Sequence, residues 1–111
     1  MRLSTERVRN VVVVTLPEGV LDAENARTFK REIDTVIRAD ANVVLNLGQV
    51  QFVDSSGVGA ILSCLRRLNA EGGDLKLCSL SRPVRALFEL IRMHKIFEIF
   101  STEDEAVSAS G

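Results

Sequence analysis

The residues best suited to chemistry in this chain lie side by side: Asp54, Ser55, Ser56 and Gly57, with Gly59 close behind, inside the segment QFVDSSGVGAILSCLRRL. A carboxylate, two hydroxyls and two glycines are thereby set where an apolar strand gives way to an amphipathic helix. A helix start carries unpaired backbone N–H groups and a partial positive charge, so it accommodates an anion. A serine there is expected to cap the helix while bare and to hold a phosphate when modified. Gly57 is expected to leave Ser56 uncovered for attack, and Gly59 to let another backbone come close. Asp-Ser-Ser-Gly alone is also a common cap or turn, so its surroundings must decide between the two.

Elsewhere the inventory for catalysis is thin. His94 is the single histidine, at a helix end where a dipole contact suits it better than general-base work. No Cys/His pair, Gly-rich phosphate loop or metal-ligand spacing occurs, and no base stands near the serines in sequence to make one of them a nucleophile. These features argue against an enzyme and call for no cofactor or metal. Cys64 and Cys78 sit in apolar neighbourhoods without a CxxC spacing and are expected to be buried free thiols.

The composition narrows the partners. Fourteen basic residues against 15 acidic ones leave a net charge of −1, whereas nucleic-acid binding needs a surplus of Lys and Arg on one face. Trp and Tyr are absent, which removes the usual stacking platforms for bases. A length of 111 residues with 46% apolar content suits one domain over residues 1–111 and argues against disorder. No apolar run approaches the roughly 20 residues of a membrane span, and MRLSTERVRN lacks a signal peptide's apolar stretch. No membrane insertion and a cytoplasmic location are therefore expected.

The elements that must position the serines alternate between strand and helix, predicting an α/β fold with a small mixed sheet of four to five strands and helices packed on it. Leu3–Val8 and Val11–Leu16 read as a hairpin turning at Arg9-Asn10, with Pro17, Glu18 and Gly19 ending its second strand. A helix is expected over Ala23–Arg38, capped by Asp22 and buried through Ala26, Phe29, Ile33, Val36 and Ile37. Val43–Leu47 is a short buried strand, after which Gln49–Val53 leads into the serine loop. The second helix carries the stripe Val58, Ile61, Leu62, Leu65 and Leu68 and stops at Gly72-Gly73. Leu75–Leu80 is a strand, Ser81 and Pro83 start a third helix running to His94-Lys95, Phe97–Phe100 is a last strand, and Ser101–Ser108 suits an acidic terminal helix. Strands joined through helices are expected to pair in parallel, leaving the N-terminal hairpin as an antiparallel edge.

In this context the sequence resembles the STAS domain, in particular the stand-alone bacterial anti-sigma factor antagonists that act by partner switching. The resemblance runs from Val11 to Phe100. VVLNLGQVQFVDSSGVGAIL is similar to the family's central strand and phosphorylation loop. GVLDAENARTFKREI is similar to the start of its first helix, EGGDLKLCSL to its next strand, and VRALFELIRMHKIFEIF to its closing helix and strand. The resemblance implies a loop serine phosphorylated by an anti-sigma factor serine kinase of the GHKL type, and a serine phosphatase that restores the unmodified form. By position Ser56 is the phosphoacceptor, with Ser55 as the alternate. Partner contacts are expected at Asp22, Asp54, Ser55, Ser56, Gly57 and Val58. Val58 is readable either as core or as an exposed apolar anchor, and Ala86, Leu90 and Met93 form a second apolar arc on the third helix, either a wide buried face or a patch for another partner. The strand Leu45-Asn46-Leu47 departs from the family, which often carries Asp where Asn46 stands.

Ala39–Leu65 contains no Lys or Arg, while Asp40 and Asp54 are present. A phosphoserine, with about −1.5 to −2 charges, therefore meets no base in its own segment and is expected to repel and block. The same fold also serves as a non-switching subunit of lipid-transport ATPase complexes or of signalling scaffolds, which is the alternative function.

Overall fold

The computed structural model describes residues 1–17, 19–36 and 41–110. In chain order these form β1 (Ser4–Val8), β2 (Val11–Thr15), β3 (Gly19–Leu21), α1 (Ala26–Asp34), β4 (Asn42–Asn46), β5 (Val50–Val53), α2 (Ser55–Ala70), β6 (Asp74–Cys78), α3 (Arg82–Leu90), β7 (Ile99–Phe100) and α4 (Glu103–Ser110). The run of valines in β2 shows how the apolar residues are shared out. Side chains alternate across an extended strand, so Val11 and Val13 join Val44, Cys78, Ala106 and Val107 on one face of the sheet. Val14 and the half-buried Val12 join the main core on the other.

The main sheet has the order β1-β2-β4-β6-β7. β1 and β2 are antiparallel, turning through Arg9 at φ +57, and the remaining neighbours are parallel. The expected mixed sheet with an antiparallel N-terminal edge is thus present. Phe29 and Ile33 of α1, Ile61 and Leu68 of α2, and Val84 and Phe88 of α3 bury one face, while α4 covers the other through Ala106 and Val107. Thr102 and Glu105 cap α4 reciprocally, each side chain accepting the other's backbone N–H. Cys64 and Cys78 are buried free thiols in these two separate clusters. Burial, then the Asp34 charge, pushes the Cys64 thiol up to about 12.

Several boundaries differ from the sequence reading. Gly19–Leu21 is a strand of its own, paired in parallel with β5 as a two-stranded ladder apart from the main sheet. Its three residues are too few for a periodic signal, and Gly19 at φ +69 looks like a turn residue. α1 begins at Ala26, three residues later than expected, and the expected Ile37-Arg38 end lies outside the described residues. α3 stops at Leu90, and Arg92 at φ +63 precedes a separate turn of 3-10 helix, Met93–Lys95, that holds His94. Ser81 does not cap α3 with its side chain; its hydroxyl donates to the Val50 carbonyl and ties α3 to β5. α2 closes at Ala70, with Gly72 at φ +85 turning the chain out as anticipated.

Candidate functional site

β3 and β5 matter because both run into the serine loop. Leu21 at the end of β3 lies beside Val53 at the end of β5, and the Asp54 N–H donates to the Leu21 carbonyl at 3.2 Å. Asp54 is extended, and its Oδ1 accepts the Gly57 N–H at 2.9 Å, so the carboxylate caps α2. Its Oδ2 accepts the Ala23 N–H at 3.2 Å. The cap expected from a serine is therefore supplied by Asp54, because the capping residue stands before the first helical turn and its side chain reaches forward to the Gly57 N–H. Ser55 and Ser56 fall inside that turn, and both are exposed.

The two glycines exchange the roles expected of them. Gly57 is buried, and a Cβ there would overlap the Leu21 carbonyl oxygen and lie 2.8 Å from Val53 Cγ1. It is Gly57 that permits close backbone approach, setting α2 down on the β3–β5 ladder, and it presents no side of its own to a partner. Gly59 is exposed, and a Cβ there would find no atom within 4 Å, so this glycine leaves the surface beside Ser56 low.

Asp22 lies next to this loop, since its neighbour Ala23 bonds to Asp54. It does not cap α1, as the later helix start implies. Its Oδ1 accepts the Glu24 N–H at 3.0 Å, while its own N–H donates to Asn25 Oδ1 at 2.9 Å. Asn25 Nδ2 in turn donates to the Val20 carbonyl at 2.9 Å. Asn25 thus holds the Asp22 turn onto β3; the spacing Asp22-Ala23-Glu24-Asn25, a capping pair one turn before the helix, was its signal. Asp40 lies outside the described residues.

Val58 is half-buried: it packs on the core and also lines an apolar groove. The groove runs between β5, the first turn of α2 and α3, with Phe52, Pro83, Leu87 and Ile91 along it. Phe52 carries no sequence signal of its exposure, because a four-residue strand with burial at both ends and exposure between has no clean alternation. The second arc of α3 does not stay together. Met93 is buried, whereas Ala86 and Leu90 face solvent, Leu90 at 80% exposure, because the chain leaves the helix at Leu90.

Asn46 has a definite use. Its Oδ1 accepts the Gly48 N–H at 2.8 Å and its Nδ2 donates to Glu103 at 3.1 Å. The amide joins the end of β4 to α4, where an aspartate would put a second carboxylate beside Glu103. Among the described residues, no group of three or more His, Cys, Asp or Glu side chains is placed to hold a metal, and no helix is long and apolar enough to cross a membrane.

Residues 2–106 match the family described as the STAS domain. An anti-sigma F factor antagonist of Paenibacillus polymyxa is 32% identical over 110 residues, spanning 97% of this chain and 93% of that protein. The structure of the anti-sigma factor antagonist SpoIIAA in its unphosphorylated form superposes with a TM-score of 0.78 at 29% identity, covering 97% of this chain and 95% of that one. The phosphorylated form of SpoIIAA, a Bacillus cell fate determinant, gives a TM-score of 0.71 at 30% identity, covering 97% and 98%.

Proposed function

The chain belongs to the STAS domain family, and we propose that it is an anti-sigma factor antagonist, like the relatives it matches along nearly its whole length. Unphosphorylated, it binds an anti-sigma factor that is also a serine kinase of the GHKL type, and so releases the sigma factor. Phosphorylation of Ser56 ends that binding, and a serine phosphatase restores it. The chain acts by binding, not by catalysis, in the cytoplasm.

The observation that carries this reading is the division of labour at the start of α2. Asp54 caps the helix and Gly57 seats it, which leaves Ser56 exposed on the first turn beside the Asp22 turn. A phosphate there adds charge next to Asp54, in a segment without Lys or Arg from Ala39 to Leu65. Like-charge repulsion and the cost of desolvating the phosphate then oppose any close protein contact. That SpoIIAA has both an unphosphorylated and a phosphorylated form with this chain's fold supports a switch that changes a surface and spares the fold.

Incubation with ATP and each GHKL-type anti-sigma kinase of the source genome tests the proposal by intact mass. One kinase is expected to add a single phosphate, and Ser56→Ala to abolish the gain. A non-switching subunit gains none, and a phosphate that persists in Ser56→Ala but not in Ser55→Ala moves the site to Ser55.

A further inference from the structure

Resting on the antagonist reading above, we infer that the apolar groove between β5, the first turn of α2 and α3 seats an uncharged apolar side chain of the anti-sigma kinase. The groove encloses about 560 Å³, and Val53 and Val84 on its floor belong to the core. Its walls are not covered: Phe52 is 55% and Ile91 42% exposed, with Pro83 and Leu87 between them. Large apolar side chains left in water around a concave, rigid floor are what an anchoring side chain from another protein needs.

Two relationships identify the occupant. Asp54 and Ser55 line the groove and also belong to the serine motif, so a kinase that reaches Ser56 must lie across the groove's mouth. The groove is acidic at that end, because Asp54 lines it and holds the neighbouring Asp22 turn through the Ala23 N–H. A segment carrying carboxylates is repelled there, whereas a neutral apolar side chain without acidic neighbours is not. The groove also gives phosphorylation its leverage. A contact that closes over an apolar floor excludes water, and a phosphate on Ser56 would have to enter that contact beside the Asp54 carboxylate without solvation.

The test is the affinity of the unmodified chain for the kinase that phosphorylates it, compared with Phe52→Ala/Ile91→Ala. Both side chains are partly exposed, so the double variant is expected to fold with a thermal midpoint close to wild type; Phe52→Gln alone serves if it does not. Binding is expected to weaken at least about tenfold, by the same factor at low and high salt, since the lost contact is apolar. Wild-type affinity in the folded variant overturns the groove's role and leaves the antagonist reading standing. Failure of the wild-type chain to bind any such kinase overturns both. Unchanged kinase affinity together with a wild-type dimer that the variant converts to monomer, seen by sedimentation, overturns the inference in favour of a second copy of this chain.

Discussion

Asp54 Oδ2 accepts the Ala23 N–H at 3.2 Å across 31 positions of sequence, while Oδ1 of the same carboxylate caps α2 through Gly57. One side chain therefore fixes the serine turn to the Asp22 turn, and the proposed contact surface exists as a unit because of it. Asp54→Ala removes a helix cap and a second charged hydrogen bond, for an expected loss of about 2–3 kcal/mol. Asp54→Asn keeps one acceptor oxygen and is expected to lose about half as much. Denaturant unfolding of the three proteins measures both.

Gly57 and Gly59 are two residues apart and are expected to respond in opposite directions to the same substitution. Gly57→Ala drives a methyl into the Leu21 carbonyl and Val53, costing about 1–3 kcal/mol by overpacking. Gly59→Ala meets nothing within 4 Å in the first turns of an exposed helix face, and is expected to be neutral or stabilising by up to about 1 kcal/mol. Thermal midpoints of the two single variants distinguish them directly.

The same pair shows what the sequence made legible. The strand-to-helix boundary at Asp54 followed from an apolar run meeting a helical stripe, and the α/β order, the mixed sheet and the buried cysteines followed from equally local patterns. Which glycine packs and which lies open depends on where β3 falls. β3 has three residues and pairs with a strand 31 positions on, a relation no local window contains. The cap lies one residue earlier than the motif suggests, on Asp54 and not on a serine, which leaves both hydroxyls free of that bond. The groove was not legible because its walls come from three elements, and because Ile91, at helical spacing from Val84, Leu87 and Phe88 and so expected on the buried stripe, falls one residue beyond the end of α3 and stays partly exposed.

Asn46 is expected to be required as an amide. Asn46→Asp replaces a donor to Glu103, 3.1 Å away, with a second carboxylate, and should cost about 1–2 kcal/mol at neutral pH through the lost bond and the new repulsion. Glu103→Gln in the same chain should recover most of it. A double-mutant cycle by denaturant unfolding tests this, the coupling between the two positions being the predicted quantity.

Lys76 is buried on the α4 side of the sheet, with its ammonium 2.7 Å from Asp74 and 3.0 Å from Glu98. Burial lowers its pKa, but the hydrogen bonds and charges of the two carboxylates outweigh this and raise it above the ordinary lysine value. A raised folded pKa means stability that is complete below the unfolded value of about 10.4 and is lost as pH rises through the folded one. Lys76→Met is accordingly expected to change stability by no more than about 1 kcal/mol at pH 7, since Asp74 and Glu98 remain hydrated. The variant should lose less stability than wild type above about pH 10. The two thiols, raised by burial in both proteins, cancel in the difference between their pH–stability curves.

The most direct test of the switch is calorimetric titration of the cognate anti-sigma kinase with the unmodified chain and with the same chain stoichiometrically phosphorylated on Ser56. The phosphorylated form is expected to bind at least about tenfold more weakly, with its circular dichroism spectrum unchanged, because the phosphate obstructs a surface and leaves the fold intact. Equal affinity of the two forms would contradict the mechanism, and so would a loss of binding accompanied by loss of helix.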